Sequence, residues 1–224
     1  VNWLQVVSWI SIVLSIVQAI VITVDIIRRP QKMMPIMNLV WPLVGLFFPI
    51  VGIWAYYGLG RASRHATTTS NHAHGDKPFW QSVFVSTTHC SSGCSLGDMV
   101  GAPLVFSTGL LIAGSALFTD YVVEFVLAYI FGIAFQYYGM GLKKHDHPGQ
   151  ALKDAIKADT LSLISFEVGM FGWMALVSLV FFASAPEPVS PVFWFMMQIA
   201  MMLGFLTSYP ANWVLVRTGV KHAM

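Results

Sequence analysis

Residues 2–24 carry no charged side chain, and the run continues to Ile27 past a single acid, Asp25. That is long enough to cross a bilayer, which takes about 20 apolar residues. Comparable runs recur at residues 33–57, 100–118, 121–142, 160–183 and 192–216. Only 10% of the side chains are charged and 56% are hydrophobic, whereas a soluble domain is charged at about 25% of its positions. The chain therefore reads as an all-α protein, a polytopic transmembrane helical bundle forming one domain over residues 1–224. The first run is too long, and lacks the basic leader, for a cleavable signal peptide.

Two polar stretches interrupt the apolar runs. Residues 60–77 form a histidine-containing loop with Arg61, Arg64, His65, His72, His74, Asp76 and Lys77. Residues 143–159 carry His145 and His147, followed by a short amphipathic helix with Lys153, Asp154, Lys157 and Asp159. Asp25 is expected to pair with an arginine at the membrane surface. Trp54, Tyr56 and Tyr57 are expected in an interfacial belt.

The segment between the loops breaks the apolar pattern differently. From Pro78 to Asp98 there is no lysine, arginine or glutamate, yet Ser, Thr and Gly abound, and both cysteines lie there. A polar, small-residue helix of this kind belongs inside a bundle, where it packs closely and hydrogen-bonds. If it does not cross, six helices result; if it does, seven result with the N-terminus outside. Each arrangement leaves three of the twelve basic residues on the outer face, so the preference of lysine and arginine for the cytoplasm does not separate them by count. The Arg28-Arg29 pair after the first run favours seven. This choice puts the 60–77 loop outside and residues 143–159 inside.

On a helix of 3.6 residues per turn, Cys90, Cys94 and Asp98 form one slowly drifting stripe. Gly93, Gly97 and Gly101 form a small-residue ridge beside it, suited to close approach by a neighbouring helix. His89 points about 100° away from Cys90, on the side opposite Asp98, so a single ion does not easily use both. Cys90 and Cys94 are soft ligands suited to copper(I) or zinc. Residues four apart on a helix have Cβ atoms about 5–6 Å apart, and a disulfide wants about 3.5–4.5 Å, so a resting disulfide is disfavoured. Glu167, well inside the run that starts at Thr160, is an ionisable group at membrane depth and so a functional residue by default. Glu124 lies nearer an interface. Met196, Met197, Met201 and Met202 read first as core packing.

The expected metal residues are Cys90, Cys94, His89, Asp98 and Glu167, with His65, His72 and His74 capturing an ion outside and His145 and His147 receiving it inside. On this reading the chain binds or transports a soft transition metal, copper or zinc. Its partners are the lipid bilayer, the metal ion and, in an oligomer, further copies of itself; nucleic acid is not among them. Two other classes remain open: a thiol- or haem-based redox protein using the cysteines or His89, and a non-catalytic scaffold whose glycines and cysteines only pack. No nucleotide-binding loop, nucleophile elbow or metalloprotease helix is present, so ATP hydrolysis and proteolysis are not expected.

The stretch His89-Cys90-Ser91-Ser92-Gly93-Cys94-Ser95-Leu96-Gly97-Asp98 resembles the H-C-x-x-G-C-x-x-G-D signature of a bacterial membrane family, domain of unknown function 4396. Arg28-Arg29-Pro30-Gln31 and Met37-Asn38-Leu39-Val40-Trp41-Pro42 look like its N-terminal region. The resemblance implies a bacterial cytoplasmic-membrane protein and draws attention to His89, Cys90, Cys94 and Asp98. It implies no reaction, ligand or partner.

Overall fold

The computed structural model describes residues 2–31, 34–61, 78–139 and 148–221. His65, His72, His74, His145 and His147 lie outside them. The helices are α1 (Trp3–Arg28), α2 (Met37–Phe47), α3 (Val51–Ala55), α4 (Phe79–Thr108), α5 (Ala116–Gly139), α6 (Pro148–Leu176) and α7 (Pro191–Arg217). Helix α3 runs on into a π-helical turn over Tyr56–Gly60, and α6 into another over Val177–Phe181. Seven α-helices and no strand occur among the described residues, which is the expected all-helical bundle. Four of the helical segments, Trp3–Arg28, Ala116–Gly139, Leu152–Phe181 and Pro191–Arg217, are long and apolar enough to cross a membrane.

The seven arise by a different partition of the chain than expected. The thiol-bearing segment and the first half of the next apolar run are a single 30-residue helix, α4, about 45 Å long at 1.5 Å per residue. It stops at Gly109, whose φ of 62° closes the left-handed cap that favours glycine. The short amphipathic helix expected before Asp159 is the first turns of α6, which runs unbroken from Pro148. Helix α7 begins as its sequence dictates: Ser190 caps it, accepting a 3.3 Å hydrogen bond from Val192 N–H, with Pro191 at the first helical position.

The second apolar run is the larger departure. It does not continue through Pro49 but turns back. At its open end, Gln31 N–H donates to Asn38 Oδ1 at 2.8 Å, the Gln31 side-chain amide donates to the Gly60 carbonyl, and Arg61 pairs with Asp25 at 2.8 Å. Both limbs therefore sit beside the C-terminal end of α1. The closed end lies against the middle of α1, where Gln18 serves the broken backbone. Its amide nitrogen donates to the Gly45 and Phe48 carbonyls, and its oxygen accepts from Ile50 N–H at 3.0 Å. Helix α2, 11 residues long, spans about 16 Å, half the hydrocarbon thickness of about 30 Å. Helices α2 and α3 thus form a re-entrant hairpin. Non-helical backbone at membrane depth is tolerated where protein groups satisfy it, and Gln18 does so here. At Gly60 a Cβ would overlap the Trp41 ring, so glycine is what lets the returning limb close.

Replacing Gln18 by leucine is expected to destabilise the protein by about 1–3 kcal/mol for each buried backbone group left unpaired. The check is the thermal midpoint in detergent. An unchanged midpoint would show that the hairpin does not depend on this amide.

Asp25 is paired as expected, with Arg61, and also accepts a 2.8 Å hydrogen bond from Tyr56. Tyr56 is consequently buried rather than part of an interfacial belt, while Trp54 and Tyr57 are exposed.

The remaining four helices alternate in direction. The start of α4 meets the end of α7, where Tyr209 donates to the Trp80 carbonyl at 3.3 Å and Phe79 packs on Trp213 with ring centroids 4.8 Å apart. Gly139, the last residue of α5, lies against His89. At the opposite end, Tyr121 of α5 stacks on Phe171 of α6 at 4.3 Å and donates to its carbonyl. Residues Arg61 and Phe79, flanking one polar loop, and Gly139 and Pro148, flanking the other, therefore lie at the same end of the bundle. This replaces the expectation that the two histidine loops emerge on opposite faces.

Candidate functional site

The small-residue ridge of α4 does what its spacing allows. A Cβ on Gly93 would lie 2.8 Å from Gly132 Cα, one on Gly101 would lie 2.8 Å from Glu124 Cγ, and one on Gly97 would overlap the backbone of Ala128. Helices α4 and α5 therefore touch backbone to backbone along Glu124, Ala128 and Gly132, themselves spaced four apart. That closeness seals the polar side of α4. Ser86, Thr87, Thr88, His89, Cys90, Ser91, Ser92, Cys94, Ser95 and Asp98 are all at most 1% exposed.

Cys90 and Cys94 are free and buried, and their sulfurs are neighbours. No disulfide joins them, in keeping with the helical spacing. Cys90 Sγ accepts a 3.1 Å hydrogen bond from the Ser162 hydroxyl of α6. Ser162 in turn accepts from the Asn212 side-chain amide of α7, whose oxygen accepts from Lys221 Nζ at 2.8 Å. Lys221 Nζ also lies 2.7 Å from Asp159 Oδ1, and both side chains of this ion pair are fully buried. Burial is the largest influence on Lys221 and works to lower the affinity of its ammonium for the proton, but the Asp159 charge and hydrogen bond together with the neighbouring Cys90 and Cys94 sulfurs outweigh it, and the pKa stays above the usual lysine value.

The carboxylates continue the polar line in the other direction. Asp98 is a charge neighbour of Glu167 on α6 and Glu124 on α5, and Glu167 is also a charge neighbour of Cys94. Asp98 and Glu167 have both carboxyl oxygens without a hydrogen-bond partner in the protein, as does Asp159 Oδ2. Glu124, although nearer an interface in the sequence, is buried against Gly101. A column of ionisable and hydroxylic groups thus runs through the bundle, from Lys221 and Asp159, past Ser162, Cys90 and Cys94, to Glu167, Asp98 and Glu124.

The expected metal residues divide along this column. Cys90 and Cys94 are together, and Glu167 and Asp98 lie toward one end. His89 faces α5 between Phe135, with ring centroids 6.2 Å apart, and Gly139, with both ring nitrogens unpartnered, and its charge neighbours are Lys221 and Asp159. A Cβ on Gly139 would come within 2.6 Å of His89 Nε2, so the end of α5 lies close against this ring. Among the described residues, no three His, Cys, Asp or Glu side chains converge tightly enough to hold a metal ion. Met196, Met197 and Met201 are buried core residues.

Three members of the column were not singled out from the sequence. Ser162 and Asn212 lie in apolar runs, where the signal was available: a polar side chain at membrane depth needs a partner. Lys221 follows the last run and looks like an ordinary basic flank. Nothing local marks it as buried.

The family model described as Domain of unknown function (DUF4396) matches residues 79–221. The match takes in α4 to α7 and Lys221, and begins after the re-entrant hairpin. No curated protein and no solved structure matches the chain.

Proposed function

Because the chain belongs to the family Domain of unknown function (DUF4396), whose description names no activity, we propose a function from its interior: it binds a soft monovalent metal ion, copper(I), and carries it across a bacterial cytoplasmic membrane. The observation that supports this is the buried column of side chains spanning the bundle with two adjacent thiols at its middle. Intramembrane ionisable groups mark ion pathways, and thiolates select soft ions. Of the two metals expected, copper(I) fits better. Structural zinc is almost always four-coordinate, and among the described residues no His, Asp or Glu joins the two thiols closely enough to make a three-ligand group, whereas copper(I) accepts two sulfurs.

The membrane arrangement proposed is five crossings, α1 and α4 to α7, with the hairpin entering and leaving on one side. Arg28, Arg29, Arg61, Lys153, Lys157, Arg217 and Lys221 then share one end. The other five basic residues, Lys32, Arg64, Lys77, Lys143 and Lys144, fall in segments whose flanking residues lie at that end. All twelve on one side is a stronger bias than either six or seven crossings produces, and it makes that end cytoplasmic. The two histidine loops would then both be cytoplasmic, and neither would capture an ion outside. Reporter fusions at residues 70, 112 and 186 check this: the first should report cytoplasm and the other two the outside.

The metal reading is tested by copper(I) bound to purified protein under a competing chelator, and by copper(I) flux into proteoliposomes. Wild type should bind about one ion, and Cys90→Ser/Cys94→Ser should lose both binding and flux. Metal content equal and negligible in both proteins would defeat it. If instead a visible spectrum or reversible thiol oxidation accompanied wild type, the redox class would take its place.

A further inference from the structure

The proposed cargo needs the thiols and acids of the column, but not a buried lysine. Lys221 nonetheless places its ammonium inside the protein at the cytoplasmic end, among α4, α6 and α7. We propose that Lys221 is a tethered cation closing this end of the column, and that the cargo ion passes by displacing its ammonium from between Asp159 and Asn212. The inference rests on the reading of the column as a cation path.

Nζ lies 2.7 Å from Asp159 Oδ1 and 2.8 Å from Asn212 Oδ1. Those two oxygens, one anionic and one neutral, converge on a single point, so the position is a formed cation site held by the chain's own side chain. The neighbouring groups lead from it toward the thiols. Asp159 Oδ2 has no partner and faces Gly132: a Cβ built there would lie 3.5 Å from Oδ2 and 3.9 Å from Cys94 Sγ. On the other side the Asn212 amide donates to Ser162, and Ser162 donates to Cys90. A cation leaving the sulfurs therefore meets the Asp159 carboxylate next, and that carboxylate is already engaged by Lys221.

The way the ammonium is attached suits a group that comes and goes. Helix α7 ends at Arg217. Gly219, with φ 72°, turns the chain back so that Lys221 N–H bonds the Leu215 carbonyl at 3.0 Å. Among the described residues, withdrawal of Lys221 would cost that tail bond and the two Nζ contacts, but no hydrogen bond inside a helix. The charge on Asp159 would then need a replacement, which an arriving cation supplies.

The test uses the full chain in proteoliposomes with Ag(I) as the redox-stable soft cation. Acetylation of Lys221 by N-hydroxysuccinimidyl acetate is read by mass spectrometry with and without the ion. Lys221 should be protected without Ag(I), and its modification should rise about tenfold with it, a one-decade shift of a two-state equilibrium; potassium should leave it protected. Lys221→Met should speed Ag(I) flux, while Lys221→Arg should keep it near wild type. Should Lys221→Met fail to fold, the labelling of wild type decides alone. Ag(I) flux in wild type with Lys221 equally protected throughout would overturn the displacement and leave the transport reading standing. Absence of any Ag(I) binding or flux in wild type would overturn both.

Discussion

Gly97→Leu is expected to leave no folded protein, and Gly97→Ala to be clearly destabilised. A Cβ at this position would overlap the Ala128 nitrogen and Cα, both backbone atoms of α5. Backbone cannot swing aside as a flexible side chain can, so α4 and α5 would have to separate. Adding a methylene to a well-packed core costs about 1–3 kcal/mol when side chains alone must adjust, which sets a floor for the alanine. Leucine would also force apart the contacts at Gly93 and Gly101, one turn either side, and open the seal over the thiols. The control is Gly172→Ala: no atom lies within 4 Å of a Cβ there, and glycine inside a helix is less stable than alanine by about 0.5–1 kcal/mol. Size-exclusion profiles of the detergent-solubilised variants check the set. A monodisperse Gly97→Leu peak at wild-type yield would mean that α4 and α5 do not meet this closely.

The second large effect belongs to the buried ion pair. Removing one partner of such a pair costs about 3–5 kcal/mol, because the other charge is left without compensation. Lys221→Met and Asp159→Asn should each lower the unfolding free energy in detergent by that amount. The double variant should be much closer to wild type, since it takes both charges out of the interior and keeps side chains of similar size. Two additive losses in the double variant would show that Lys221 and Asp159 contribute independently, contrary to a contact of 2.7 Å. The pair joins the segment just beyond α7 to the first half of α6, so its loss should also loosen the Asn212–Ser162–Cys90 hydrogen bonds and increase alkylation of Cys90 by a small neutral reagent.

Much of the site was legible because its signals are local. Four-residue spacing placed Cys90, Cys94 and Asp98 on one stripe and Gly93, Gly97 and Gly101 on a ridge beside it; the structure keeps the two cysteines adjacent and packs the ridge against α5. His89 does stand away from Asp98. The re-entrant hairpin was hidden because residues 33–57 have the length and apolarity of a crossing. Pro49 signals a break but not its direction. That depends on Gln18, a residue of another helix, receiving the exposed backbone of Phe48 and Ile50. Treating the run as a crossing then set the 60–77 loop opposite residues 143–159, whereas the residues that flank the two loops lie at one end of the bundle.

Apolar length and helical period are properties of neighbours in the chain, so the sequence by itself determined that this is a helical membrane protein with a sheltered thiol helix bearing a glycine seam. Which groups meet across the interior depends on segments far apart in the chain. Asp159 and Lys221 are 62 residues apart, and Ser162 and Cys90 are 72 apart. Only the tertiary structure could decide that a lysine beyond α7 turns inward, because an ammonium enters a low-dielectric interior only where a carboxylate already waits, and that carboxylate is positioned by the packing of α6 against α4 and α7.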